Sequence, residues 1–186
     1  MENLFEHILD DDEKIVKIFK PNKLKLYFSN IFCFSIFLLF FLATSILGIL
    51  IPEEGYDPVN PIYVLIPIGI FVFIILLVAL FTALYYKNVY YVYTNKRIVI
   101  RSGIFGVDYK SLDMAMIGAV DVYVSLIDKI LKRNTGSLCF GSMASPMVSG
   151  KGGAAYKFNH IVMPYETCKE IKVAIDSYKK EVNKKS

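Results

Sequence analysis

Between Tyr27 and Tyr86 the chain has no Lys or Arg, although it carries 21 of them elsewhere in its 186 residues. A water-facing surface of that length would include positive charge, so the segment belongs in surroundings that exclude it. Two blocks inside it, Tyr27 to Ile51 and Ile62 to Tyr86, are almost unbroken runs of Phe, Ile, Leu and Val. At about 1.5 Å of rise per residue, either block as a helix exceeds the roughly 30 Å hydrocarbon core of a bilayer. Core helices of soluble proteins are seldom this long and apolar on every face. The polar members Ser29, Asn30, Cys33, Ser35, Thr44 and Ser45 are small and uncharged, and can bond to their own helix or to a neighbouring one. Composition agrees, with 55% hydrophobic and only 20% charged residues, too apolar for an ordinary soluble domain.

Residues Pro52 to Pro61 hold helix breakers and acids without a positive charge, the pattern of a short hairpin loop. The outer flanks carry Lys14, Lys17, Lys20, Lys23 and Lys25 on one side and Lys87, Lys96, Arg97 and Arg101 on the other. Lys/Arg excess marks the cytoplasmic face, so the expected protein crosses the plasma membrane twice with both termini in the cytoplasm. The start of the chain, with Glu2, Glu6 and the run Asp10-Asp11-Asp12-Glu13, lacks the basic opening of a signal peptide, and the first block is expected to stay as an anchor. Cys33, Cys139 and Cys168 are widely spaced, which suits buried thiols in a reducing compartment rather than a disulfide framework or a zinc site.

Three regions follow: an amphipathic arm over 1–26, a two-helix hairpin over 27–86, and a soluble domain over 87–186. The arm places Ile8, Ile15, Val16 and Phe19 among charges, as a segment lying on the bilayer surface or against the soluble domain. In the last region, strands are expected over 88–94, 97–101, 107–112, 119–124, 137–142 and 155–162, from runs of aromatic and β-branched residues broken by turns. Ser125 with Asp128 three residues on is a variant capping box that opens a short helix over 126–131, closed by Thr135-Gly136. Pro164 opens a final helix in which Cys168, Ile171, Ala174, Ile175, Tyr178 and Val182 share one face. The Gly, Ser and Ala of Met143 to Ala154 suit a hairpin tip.

The stretch Tyr93-Thr94-Asn95-Lys96-Arg97-Ile98-Val99-Ile100-Arg101-Ser102-Gly103-Ile104-Phe105-Gly106 resembles the signature of the bacterial pleckstrin-homology-like membrane proteins. Val120 to Leu131, Gly136 to Ser142 and Pro164-Tyr165-Glu166 are similar to later features of that family. The resemblance implies a membrane helical hairpin followed by a mainly-β, strongly bent PH-like barrel, plugged at one end by the C-terminal helix. The long glycine-rich insert before Tyr156 departs from the pattern.

Chemistry is sparse in the sequence. His7 and His160 have no visible partner, Ser142 lacks the second Gly of a nucleophile elbow, and Ser149-Gly150-Lys151 lacks the spacing of a phosphate loop. No catalytic residue, cofactor or metal site is expected. Lys179, Lys180, Lys184 and Lys185 suit a solvated end rather than a nucleic-acid arm, as no aromatic residues interleave them. Eukaryotic pleckstrin-homology domains hold phosphoinositide phosphates with basic residues around their first hairpin, where Lys96, Arg97 and Arg101 fall. With Lys23 and Lys25 they are the candidate contacts to a membrane surface or lipid, and their spread beside the spans predicts diffuse attraction to anionic lipid rather than one headgroup pocket. The expected partners are the bilayer itself and a second copy or another membrane protein, with no nucleic acid and no small-molecule substrate. The expected function is a non-enzymatic, membrane-anchored interaction or assembly module. Its alternative is an anionic-lipid-binding or membrane-stress component, ahead of a transporter or an enzyme.

Overall fold

The computed structural model describes residues 4–51, 65–130, 134–142 and 155–185. The hairpin loop at 52–61, the end of the short helix at 131 and the glycine-rich insert at 143–154 lie outside them. The chain divides into two compact units, one of Met1–Lys25 with Tyr85–Ser186 and one of Leu26–Leu84.

Among the described residues the first unit holds seven strands in two antiparallel sheets. The strands β1 (Ile15–Phe19), β2 (Tyr90–Thr94), β3 (Arg97–Ser102) and β4 (Asp108–Asp113) lie in that order in one sheet. In the other, β5 (Ile117–Tyr123), β6 (Thr135–Ser142) and β7 (Tyr156–Val162) lie in theirs. A single 3-10 turn, Met114–Met116, joins the sheets. The two antiparallel sheets fit the mainly-β unit that the resemblance implies, and closure of the two ladders into one barrel is not seen among the described residues.

Period-2 alternation sends Tyr91 and Tyr93 of β2 with Ile98 and Ile100 of β3 into the main core, where they meet Leu138, Phe140, Phe158 and Ile161. The helix α4 (Pro164–Lys185) covers this core with Cys168, Ile171 and Ile175, as its spacing predicts, whereas Val182 stays exposed. In β3 the alternation of Ile98 and Ile100 with Arg97, Val99 and Arg101 predicts a half-buried strand with one wet face. That face is covered instead by the N-terminal segment, whose Phe5 packs on Val92 and Val99. Both faces of the central strands are therefore buried, which accounts for their unbroken apolar character.

Of the two placements left open for the arm, the structure shows the second. Residues 15–19 pair with β2 as an edge strand, Lys17 opposite Tyr93 and Phe19 opposite Tyr91. Lys17 also reaches Glu170 of α4 at 2.6 Å, and the Tyr93 hydroxyl donates to the same carboxylate at 2.7 Å. The short helix α3 spans Leu126–Ile130, and Thr135 and Gly136, expected to close it, open β6 instead. The reason is pairing: Thr135 and Gly136 oppose Val162 and Ile161 of β7.

The second unit consists of most of two helices, α1 (Lys23–Leu50) and α2 (Leu65–Asn88). Asn30 donates to the Thr82 hydroxyl across this pair at 3.2 Å, and Thr82 donates to the Val78 carbonyl at 2.7 Å. Thr44 and Ser45 bond back to the Phe41 carbonyl, which removes their hydroxyls from apolar surroundings at little cost. Phe34, Phe37, Phe40, Phe73 and Leu76 point outward. Cys33 is exposed on α1, unlike the buried Cys139 and Cys168.

Candidate functional site

The five candidate basic residues do not converge. Lys25, in the first turn of α1, is buried against α3. That turn is capped by Asn22, whose side-chain oxygen accepts from the Lys25 amide at 3.0 Å. The Asn22 amide in turn donates to the His160 carbonyl of β7 at 2.7 Å. On α3, the Ser125 amide donates to Asp128 Oδ2 at 3.1 Å and the Asp128 amide donates to Ser125 Oγ at 3.3 Å, the reciprocal cap that the sequence predicts. The other carboxylate oxygen, Oδ1, takes Lys25 Nζ at 2.7 Å and the Thr135 hydroxyl at 2.5 Å. Side chains of Lys25 and Asp128 are 0% and 3% exposed. Burial pushes the Asp128 carboxyl up, but donors from Lys25, Ser125 and Thr135 outweigh it and hold the group below its usual range.

His160 lies beside this ion pair with its backbone in the left-handed region, φ 54°. Burial drives its imidazole down to about 4, the charge on Lys25 adds to the shift, and Asp128 opposes it. The imidazole is therefore neutral at physiological pH.

Arg97 and Lys96 fasten the N-terminal segment to the β2–β3 turn. The Arg97 guanidinium donates to both Glu13 oxygens, at 3.0 Å from Nε and 2.6 Å from Nη2, and to the Ile8 carbonyl at 2.9 Å. The Thr94 hydroxyl donates to Glu13 at 2.5 Å, and the Asp10 amide donates to it at 3.2 Å. Lys96 pairs with Asp12. Burial raises the Glu13 carboxyl, while Arg97, Thr94 and Asp10 together bring it below its usual value. Glu13→Gln removes the nearest charge and leaves Arg97 with neutral acceptors and the more distant Asp10 carboxylate at 3.6 Å, so the expected loss is about 2 kcal/mol. Chemical unfolding of the detergent-solubilised chain measures it, with exposed Glu6→Gln as the reference. Equal midpoints for the two variants would show that this pair contributes nothing.

Arg101 has no carboxylate partner among the described residues. Its guanidinium lies 5.6 Å from the Tyr90 ring centre and 6.0 Å from that of Tyr109. Lys20 Nζ sits 4.4 Å from the ring centres of both Tyr86 and Tyr90. Lys23 is exposed. Thus Lys25, Lys96 and Arg97 hold acidic residues of the same unit, while Lys23 and Arg101 face none among the described residues. Of the remaining candidates, His7 makes an edge contact with Tyr109 at 5.4 Å. A cleft of about 330 Å³ between β5 and α4 is lined in part by Asp121, Lys172, Asp176 and Lys179, and Lys179 donates across it to the Ile117 carbonyl at 2.6 Å. Sequence reasoning missed the acidic halves of both ion-pair sites, Glu13 and Asp128. Only the cap position of Asp128 was visible.

A model of the bacterial PH domain family matches residues 36–172. Neither a curated protein nor a solved structure matches the chain.

Proposed function

We propose a function from one premise: the chain belongs to the bacterial PH domain family. It is a non-enzymatic, membrane-anchored interaction or assembly module, held in the plasma membrane by α1 and α2, with its PH-like unit and both termini in the cytoplasm. The observation that carries the anchoring is exposure. The two helices have mean hydropathies of 2.5 and 3.0, yet only 6% and 11% of their most apolar windows are buried. Core helices of a soluble protein would hide that surface, whereas lipid covers it without further protein. The Lys/Arg distribution supports the orientation.

Partner binding is supported by the outer edge of β5, which ends its sheet and borders the cleft against α4. An unpaired edge offers backbone donors and acceptors to an extended segment of a second copy or another protein. The lipid-binding alternative draws on Lys23 and Arg101, the two candidate cations without an acidic partner among the described residues.

Cysteine labelling in intact cells tests the topology. Asn60→Cys is expected to react with a membrane-impermeant maleimide and Asn183→Cys to react only after the cells are opened, each against the unsubstituted chain. Reaction of Asn183→Cys in intact cells would overturn the orientation, and equal protection of both sites would overturn the two-span reading.

A further inference from the structure

The turn between β3 and β4 carries three apolar side chains that keep much of their surface exposed. Ile104 is 39% exposed, Phe105 87% and Val107 39%. The turn is tightly built. Gly103 has φ 148°, and a Cβ placed there would stand 1.9 Å from the Gly106 carbonyl oxygen, so the crossing requires glycine. The segment therefore offers Ile104 and Phe105 on a fixed backbone rather than on a slack one.

Its location is set by α2. The Asn88 side-chain amide donates to the carbonyls of Gly103 at 3.3 Å and Ile104 at 3.4 Å, and Asn88 is the last residue of that helix. Tyr85 and Tyr86 lie within the same final turn. At about 1.5 Å of rise per residue, the bonded carbonyls stand only a few ångströms beyond those tyrosines, less than the thickness of one headgroup layer. Close by in the chain are Tyr86 and Tyr90, with Lys20 over the rings of both and Arg101 over that of Tyr90. Such amphipathic groups favour the boundary between acyl chains and water, and their charges complement anionic headgroups.

We infer that the β3–β4 turn is a lipid-contacting wedge: Ile104, Phe105 and Val107 enter the headgroup boundary of an anionic bilayer, flanked by Lys20 and Arg101. The wedge rests on the proposed membrane anchoring. It gives the PH-like unit a second attachment to the surface that α2 leaves.

The chain has no Trp, so single tryptophans report on it without further engineering. Full-length Phe105→Trp, Phe73→Trp on α2 and Tyr165→Trp at the start of α4 are reconstituted into anionic phosphatidylglycerol vesicles containing lipids brominated near the top of the acyl chains. Phe105→Trp is expected to emit at shorter wavelength than Tyr165→Trp, to be quenched by the bromolipid, and to be quenched by aqueous acrylamide roughly half as strongly as Tyr165→Trp. Phe73→Trp, quenched by lipids brominated deep in the chains, verifies the span. If Phe73→Trp is quenched but Phe105→Trp matches Tyr165→Trp, the wedge is wrong and the anchoring stands. If Phe73→Trp meets no lipid, both fall. Shielding of Phe105→Trp from acrylamide without bromolipid quenching would assign the turn to a protein contact and overturn the lipid reading.

Discussion

Replacing Lys25 by Met is expected to lower the thermal midpoint of the detergent-solubilised full-length chain by roughly 10 °C, a loss of about 3 kcal/mol. The ion pair with Asp128 is fully buried, so the carboxylate left behind cannot recover its energy from water. Breaking such a pair from one side commonly costs about 3–5 kcal/mol. The lower end applies because Asp128 keeps the hydroxyls of Ser125 and Thr135 and the Ser125 amide as donors. Met fills the same channel with a chain of similar length, so packing contributes little to the loss. Lys23→Met, two residues earlier on the exposed side of α1, is the matched comparison and should stay within about 0.5 kcal/mol of the natural chain. Coincident melting curves for the two variants would mean that the buried pair adds no stability.

The positive-inside pattern is blind to this difference. It treats Lys23, Lys25, Lys96 and Arg97 alike as flanking charge, because charge counts near a span carry no information about what each side chain meets. The partner of Lys25 sits beside Ser125, 100 residues along the chain, and that of Arg97 is 84 residues away. Pairings at that separation leave no local period. The elements that were legible have local causes: the apolar runs of α1 and α2, the β2–β3 hairpin closed by Thr94 to Arg97, the Ser125–Asp128 cap and the apolar stripe of α4 opened by Pro164. Strand β1 was not legible as a strand, since five residues with charges around them become one only when β2 supplies the hydrogen bonds. Burial of Val99 was hidden for the same reason, because its cover, Phe5, comes from the distant start of the chain.

The corner that holds Lys25 also sets the acid limit of the fold. His160 titrates at about 4 in the folded chain against an ordinary 6.5, so below pH 6.5 the unfolded chain takes up a proton that the folded chain refuses. The stability this represents is complete above pH 6.5 and is lost as pH falls toward 4, amounting to about 3 kcal/mol across the window. Glu13 and Asp128 have the same sign but act lower. Both titrate below their ordinary values of 4.5 and 3.8, so their contributions are complete above those values and are lost as pH falls through the lowered ones, beneath most of the histidine window. Thermal midpoints of the natural chain should therefore drop by roughly 10 °C between pH 7 and pH 4.5. His160→Asn separates the imidazole from the backbone it occupies. Asn tolerates the left-handed conformation at this position and retains the carbonyl that accepts from Asn22, but it has no titratable group. Its midpoint should stay level over the same range, and the two curves should fall together only below pH 4. Lys25→Met provides an internal check, because the Lys25 charge helps to depress the imidazole. Without it the His160 pKa rises, and the slope between pH 6.5 and pH 4 becomes shallower. Parallel curves for the natural chain and His160→Asn would place the acid sensitivity in the carboxylates and leave His160 without a part in it.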